Sequence, residues 1–485
     1  MLMFKVKEKF MQEVESKRIK LNNTRYRLGY HIMAPSGWIN DPNGFCYFQG
    51  YYHIFYQHYP NDSKWGPMHW GHARSKDLVH WESLPIALTP GDKEDEDGCF
   101  SGSAVVYNGK MYLIYTGHHY YGDGDSDHFW QNQNLAISED GIHFEKYENN
   151  PIISQAPEDN TQHFRDPKVW YNNGKWYLIL GSQNKQEMGR VLLYKSDNLI
   201  DWILVGPVAE SKDTKKEGYM WECPDFFRLG DNDFLLMSPQ GIEADKGRFK
   251  NLHETGYLVG NYRYNDNNFE RGEFNELDNG HDFYATQTTL TPDGRRIVIG
   301  WMDMWESPMP ESADGWAGAL TIPRELIYQD GILKMKPIKE LEKLRTRELL
   351  NKNYLVKGNQ NIVSNSRNYE AKLNLNVGDN DEAGFELRNE ENNLILRVVY
   401  DKRNNRIVLN RSGDDPEREA ILSKSEQLKF HLYVDTSSIE IFVNDGERTF
   451  TERFYSDGAK LNVISENDMK VQASVYQLDK NAVKF

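Results

Sequence analysis

The sequence predicts an all-β protein, a five-bladed β-propeller followed by a C-terminal antiparallel β-sandwich, with a short N-terminal helix. The first observation behind this is a repeat. Five times, about sixty residues apart, an apolar run, a turn and an aromatic-rich run recur: GFCYFQGYYHIFYQ from Gly44, SAVVYNGKMYLIYTG from Ser103, DPKVWYNNGKWYLILGS from Asp166, CPDFFRLGDNDFLLMSP from Cys223 and TQTTLTPDGRRIVIGWM from Thr286. Each fits a hairpin around a Gly, Asn or Asp turn, and hairpins at fixed spacing imply one sheet per repeat, stacked radially. The second is a companion element, SKDLVHWE from Ser75, SEDGIHFEKY from Ser138, SDNLIDWI from Ser196 and, more weakly, NYRYNDNNFE from Asn261, whose turn and aromatic anchor suit the outer part of a blade. The third is the loss of this phase beyond about Leu320.

Taken in order, residues 1–24 carry charges every few positions and read as an amphipathic helix, without the apolar core of a secretory signal. Residues 25–328 hold the propeller repeats, and 329–353 a charged connector. Residues 354–485 alternate as YEAKLNLNVG, LILRVVYD and KFHLYVDTSSIEIFVNDG do, the pattern of a sandwich; its charged residues read as solvated strand faces rather than a site of their own.

A net charge of −16 without a long basic cluster argues against nucleic acid and anionic membrane surfaces as partners. No stretch approaches the roughly 20 apolar residues of a membrane span. Cys46, Cys99 and Cys223 are odd in number and lack metal spacing, so a reduced cytoplasm is the expected location. The run GDGDSDH around Asp123, Asp125 and Asp127 starts like a calcium loop, but His128 stands at the glycine position and Asn134 at the closing glutamate. No metal or other cofactor is expected, and the oligomeric state is left open.

The polar motifs ahead of each hairpin carry the chemistry: WINDPNG, FSGSA, FRDP, WECP and HDFYATQ. Asp41, Ser101, Asp166, Glu222 and Asp282 then occupy nearly equivalent positions of successive blades, which converge on the central channel. An aspartate in one Asp-Pro-Asn-Gly turn is most often structural; three unusual acidic motifs in one phase argue for an acidic funnel. No Ser-His-Asp order, phosphate loop or dinucleotide fingerprint competes with these carboxylates. Two of them in an aromatic pocket suggest glycoside hydrolysis, which needs one ionised and one protonated group. Asp41, in a tight turn with amides nearby, suits the ionised nucleophile. Glu222, between Trp221 and Cys223-Pro224, is expected to have a raised pKa and to donate a proton. Asp166, beside Arg165, is expected to stay ionised and to bind hydroxyls.

Together these motifs resemble glycoside hydrolase family 32, the retaining β-fructofuranosidases, over the propeller and the tail. The resemblance implies Asp41 as nucleophile, Glu222 as acid then base, and Asp166 as transition-state stabiliser. It implies fructose contacts from Asn40, Gln57, Trp65, Phe100, Ser101 and Arg165, with Trp38 and Trp301 walling the pocket. Retention implies carboxyl groups of Asp41 and Glu222 about 5 to 5.5 Å apart. DGCFSGSAVV, LAISEDG and HFRDPKVW most resemble bacterial members that cleave the terminal β-D-fructofuranosyl residue of sucrose 6-phosphate, and His281 is one candidate for the phosphate. An intracellular exo-β-fructosidase acting on fructo-oligosaccharides would share every motif, and a non-catalytic fructoside-binding protein would share the scaffold.

Overall fold

The computed structural model describes residues 16–364, 366–413 and 415–485. Most of the expected N-terminal helix, residues 1–15, lies outside them; Ser16 and Lys17 are helical, but residues 18–24 of the expected extension are not. Five antiparallel sheets follow one another along the chain. The first holds β1 (Gly37–Phe48), β2 (Tyr51–Tyr59), β3 (His69–Ser75) and β4 (Trp81–Leu88), and the second β5 (Gly98–Tyr107), β6 (Lys110–Tyr120), β7 (Phe129–Ser138) and β8 (Glu145–Lys146). The third holds β9 (Asn160–Asn172), β10 (Lys175–Asn184), β11 (Gly189–Ser196) and β12 (Ile203–Glu210). The four-residue helix α1 (Thr214–Glu217) leads into the fourth: β13 (Met220–Leu229), β14 (Asn232–Gln240), β15 (Gly256–Arg263), β16 (Asn268–Arg271) and β17 (Asn275–Glu276). After β18 (Tyr284–Leu290) and β19 (Arg296–Trp301), β20 (Trp316–Ala317) crosses back to pair in parallel with β1, and β21 (Arg324–Gln329) and β22 (Ile332–Pro337) complete the fifth.

The molecule is thus a β-propeller. A count of blades gives four, one fewer than the repeat led us to expect. The sheets are uneven: the first is widened to six strands by β20 and the C-terminal β33 (Val483–Lys484), and the fourth carries five. Apolar clusters fill the seams between sheets, such as Phe48, Phe55, Trp70, Leu113 and Tyr115 between the first two and Ile54, Tyr56, Ile297 and Ile299 between the fifth and the first. Burial on both faces explains the nearly continuous apolar runs.

The outer turns repeat in atomic detail. Asp77 Oδ1 accepts from the backbone N–H groups of Val79 and His80, Asp140 from those of Ile142 and His143, and Asn198 from those of Ile200 and Asp201. Leu78, Gly141 and Leu199 hold the same left-handed position, at φ 68°, 72° and 67°.

The connector differs from the expectation. The stretch expected to be a linker, 329–353, takes in β22, which pairs with β21 as β21 does with β19, and only a 3₁₀ turn, Lys339–Leu344, separates β22 from β23 (Arg345–Val363). Pairing partners, which lie far off in sequence, decided that boundary. The C-terminal unit is a barrel-like sandwich of β23, β24 (Tyr369–Asn376), β25 (Glu382–Arg388), β26 (Leu394–Asp401), β27 (Arg406–Arg411), β28 (Glu417–Ile421), β29 (Gln427–Asp435), β30 (Ser438–Val443), β31 (Arg448–Arg453) and β32 (Lys460–Leu478). The long β32 joins its halves, pairing with β25 through Lys460–Ser465 and with β24 through Lys470–Gln477. The two units are pinned by buried charge: Arg324, fully buried, bonds Asp278 at 2.8 Å and Glu440 at 2.6 Å. His31 bridges Asp435 at 2.7 Å and Glu440 at 2.9 Å.

Candidate active site

The innermost strands β1, β5, β9, β13 and β18 share a defect, a register break at the polar motif. Breaks fall between Ile39 and Pro42, Phe100 and Gly102, Lys168 and Arg165, Glu222 and Asp225, and Tyr284 and Thr286. A bulge twists the strand and turns side chains that would face the seams towards the channel. Left-handed backbone at Asp166 (φ 65°), Cys223 (φ 48°) and Ala285 (φ 46°) marks the same turns. Prolines in WINDPNG, FRDP and WECP fit there because the ladder is already broken.

Asp41 is therefore held in the funnel. Its Oδ1 accepts from Asn40 Nδ2 at 2.9 Å, its Oδ2 from Ser101 Oγ at 2.7 Å, and Cys223 Sγ lies 3.5 Å from Oδ2. Trp38 Nε1 donates to Asn40 Oδ1 at 2.7 Å and fixes that amide. Burial and then the Glu222 charge push the Asp41 carboxyl up, while the Ser101, Asn40 and Cys223 donors oppose them.

The expected electrostatics of the other two carboxylates are reversed. Arg165 gives its hydrogen bonds to Glu222 rather than Asp166: its Nε and Nη2 donate to Glu222 Oε1 at 3.0 and 2.9 Å, while Gln240 Nε2 and the Tyr284 hydroxyl donate to Oε2 at 2.7 and 2.5 Å. Burial raises Glu222, but Arg165 and then Tyr284 outweigh it and hold it down to about 2. Asp166 accepts from the Cys223 backbone N–H at 2.9 Å. Burial pushes Asp166 up to about 7 against the pull of Arg165, with the Glu222 and Asp41 charges adding to the rise. Three carboxylates in one desolvated funnel disfavour one another's charge, and the Arg165 guanidinium favours charge on Glu222.

Asp282, expected in the funnel, faces the sandwich: it pairs with Arg411 at 2.5 Å and accepts from the Arg453 backbone at 2.7 Å. Tyr284, two residues on, reaches Glu222 instead. Phe100 lies flat on His118 with ring centres 4.1 Å apart, and Trp65, 41% exposed, meets Phe100 edge-on at the rim. Gln57 is buried and donates to the Cys99 carbonyl at 3.0 Å. Trp301 is fully buried and backs the wall; Trp305, stacked on Trp38 with ring centres 6.0 Å apart, is the partly exposed member. Tyr284, Gln240 and Trp305 escaped the sequence reading. Only Tyr284 had a signal, its place in DFYATQ.

Two models of known families match the chain. Residues 31–337 match the glycosyl hydrolases family 32 N-terminal domain and residues 340–478 the family 32 C-terminal domain. Sucrose-6-phosphate hydrolase of Escherichia coli is 42% identical over 88% of this chain and 88% of its own, and raffinose invertase of Escherichia coli is 42% identical over 93% and 94%. A Bombyx mori β-fructofuranosidase, solved as a mutant in complex with sucrose, superposes with a TM-score of 0.87 at 38% identity, covering 99% of this chain and 98% of that one. Sucrose-6-phosphate hydrolase from Lactobacillus gasseri does so with a TM-score of 0.85 at 30% identity, covering 98% and 97%. The protein is a glycoside hydrolase. In particular, it belongs to glycosyl hydrolase family 32. Among the described residues no helix is long and apolar enough to cross a membrane.

Proposed function

We propose that this chain is a retaining β-fructofuranosidase that releases terminal fructose from sucrose 6-phosphate and from sucrose. The observation that carries the reading is the convergence of Asp41, Asp166 and Glu222, from three different strands, around Cys223 and Arg165. An Asp41 oxygen attacks the anomeric carbon of the fructosyl group while protonated Glu222 gives its proton to the glycosidic oxygen. The C–O bond to the leaving sugar breaks, and a fructosyl ester forms on Asp41. Glu222, now ionised, takes a proton from water, whose oxygen displaces Asp41 and restores both groups. The charge-stabilising donors around Glu222 suit this second step; substrate must loosen them for the first. Asp166 binds fructose hydroxyls as a donor and acceptor. Asn40, Ser101 and Arg165 hold the carboxylates, and Gln57, Trp65, Phe100 and Trp38 shape the fructose pocket, with Trp301 behind.

Proton NMR of early product tests the mechanism: β-fructofuranose must appear first, and initial α-anomer would refute retention. Hydrolysis of sucrose 6-phosphate, sucrose and a short inulin-type oligosaccharide tests the substrate, and absence of fructose from all three would refute the enzyme reading. The similarity to raffinose invertase supports a second reading, a fructosidase tolerant of longer substrates. A phosphorylated substrate is intracellular, which supports a cytoplasmic location.

The division into a propeller ending near Pro337 and a sandwich starting at Arg345 is supported by the two family matches. Five blades are supported by contacts that close a ring through the inner strands, β1 to β5, β5 to β9, β9 to β13, β13 to β18 and β18 to β1.

A further inference from the structure

The acid/base group defines where the leaving sugar goes, because its proton must reach the glycosidic oxygen. Side chains beside Glu222 and facing away from Asp41 therefore meet that sugar. One of them takes no part in the chemistry above. From Gln240 the chain loops outward and returns at His253, which forms an antiparallel bridge with Gln240, while the Glu254 backbone N–H donates to the Pro239 carbonyl at 3.1 Å. This bridge anchors the His253 ring 6.0 Å from that of Tyr284, so the imidazole stands beside both donors to Glu222 Oε2.

The cations nearby are committed elsewhere. Arg165 is bound to Glu222. A cleft of about 700 Å³ between propeller and sandwich reaches Leu252, next to His253, but Lys250 and Arg418 pair there with Asp415, Arg411 with Asp282 and Glu452, and Arg453 with Asp303 and Glu311. His281, the candidate named from sequence, is spent as well: Nδ1 meets Glu452 at 2.9 Å and Nε2 the Asp415 carbonyl at 2.8 Å. His253 differs. Its ring is half-buried and bonds no carboxylate among the described residues; buried Nδ1 lies by the Leu252 carbonyl without a well-formed hydrogen bond.

We infer that His253 binds the phosphoryl group of the leaving sugar and is the residue that sets preference for phosphorylated over plain substrate; this rests on the fructosidase reading above. A phosphoryl group brings close to two negative charges and strong acceptor oxygens, for which an imidazolium is a charge-assisted donor. Burial lowers the pKa of the empty site's imidazole, so the ring is neutral until an anion arrives and does not repel or overcharge a neutral sugar.

The experiment compares wild type, His253→Gln and His253→Ala on sucrose 6-phosphate and sucrose, with glucose 6-phosphate and glucose as product inhibitors. We expect wild type to prefer the phosphorylated sugar. Both variants lose about ten- to hundredfold in kcat/KM on sucrose 6-phosphate, mostly in KM. Turnover of sucrose stays within about threefold, and inhibition by glucose 6-phosphate weakens while that by glucose does not. Equal losses on both sugars, or variants that keep the wild-type ratio, overturn the inference. Wild type without any preference overturns it too and leaves the fructosidase reading standing, whereas wild type that frees fructose from neither sugar refutes that reading itself.

Discussion

Replacing Tyr284 by Phe removes one oxygen and tests how Glu222 is tuned. The hydroxyl donates to Glu222 Oε2 at 2.5 Å in a partly buried setting, so it stabilises the charged carboxylate more than the neutral acid. A hydrogen bond to a charged group contributes about 1.5–3 kcal/mol, and 1.36 kcal/mol corresponds to one pKa unit, so losing it raises the Glu222 pKa by about one to two units. Phenylalanine fills the same ring volume, and Arg165 and Gln240 still hold the carboxylate. The assay is kcat/KM against pH with a non-phosphorylated substrate, which keeps substrate ionisation out of the profile. The first step needs Glu222 protonated, so the alkaline limb, where that proton is lost, should move to higher pH by about one to two units. Because the carboxylates titrate as a cluster, the limb reports a shared value whose direction of movement is the diagnostic. An unmoved alkaline limb, or one moved to lower pH, refutes Glu222 as the acid tuned by Tyr284.

Three further outcomes follow from the same geometry. Asp41→Asn should lower kcat by more than about 10³-fold, by loss of the nucleophile, yet leave the melting temperature unchanged or raised, since Asp41 is buried with a disfavoured charge; activity assays and calorimetry read both. Asp166→Asn should lower kcat about 10²-fold or more through lost hydroxyl binding; a kcat within about tenfold of wild type contradicts this. At the domain interface, burial opposes the charged form of His31, but its bonds to Asp435 and Glu440 raise its pKa overall. Its stabilisation is fully present below the unfolded value of about 6.5 and is lost as pH rises through the higher folded value. His31→Gln should cost about 3–5 kcal/mol at neutral pH by leaving buried Asp435 without its cation, Glu440 still being held by Arg324, with a gap in melting temperature to wild type that narrows at alkaline pH; a gap that widens there would show the sign to be wrong.

The propeller was legible because its period is written in apolar runs and turn residues, and the outer Ser-x-Asp or Ser-x-Asn turns repeat to the level of φ at Leu78, Gly141 and Leu199. Strand pairing was less legible. Twenty-two residues separate the hairpin Arg324–Pro337 from the end of β19, which it joins only in space. The C-terminal Val483–Lys484 likewise returns to β4 of the propeller, far from the sandwich strands that precede it. Neither partner can be read from a local pattern, because alternation reports that a strand has a buried face without saying whose.

The site divides in the same way. Repeat phase placed Asp41, Asp166 and Glu222 together, because equivalent bulges turn equivalent positions towards one axis. It failed for Asp282, since a shift of two residues at the start of β18 hands the place to Tyr284 and sends the aspartate to Arg411. It failed also for the charges. Trp221 and Pro224 flank Glu222 in sequence, and that apolar setting suggested a raised pKa, while Arg165 sits next to Asp166 in the chain. In a bulged strand adjacent side chains diverge, so Arg165 crosses to the neighbouring strand and its guanidinium meets Glu222. Sequence neighbours supply the desolvation that raises both carboxyls; the Arg165 guanidinium, placed by topology, favours charge on Glu222 over Asp166.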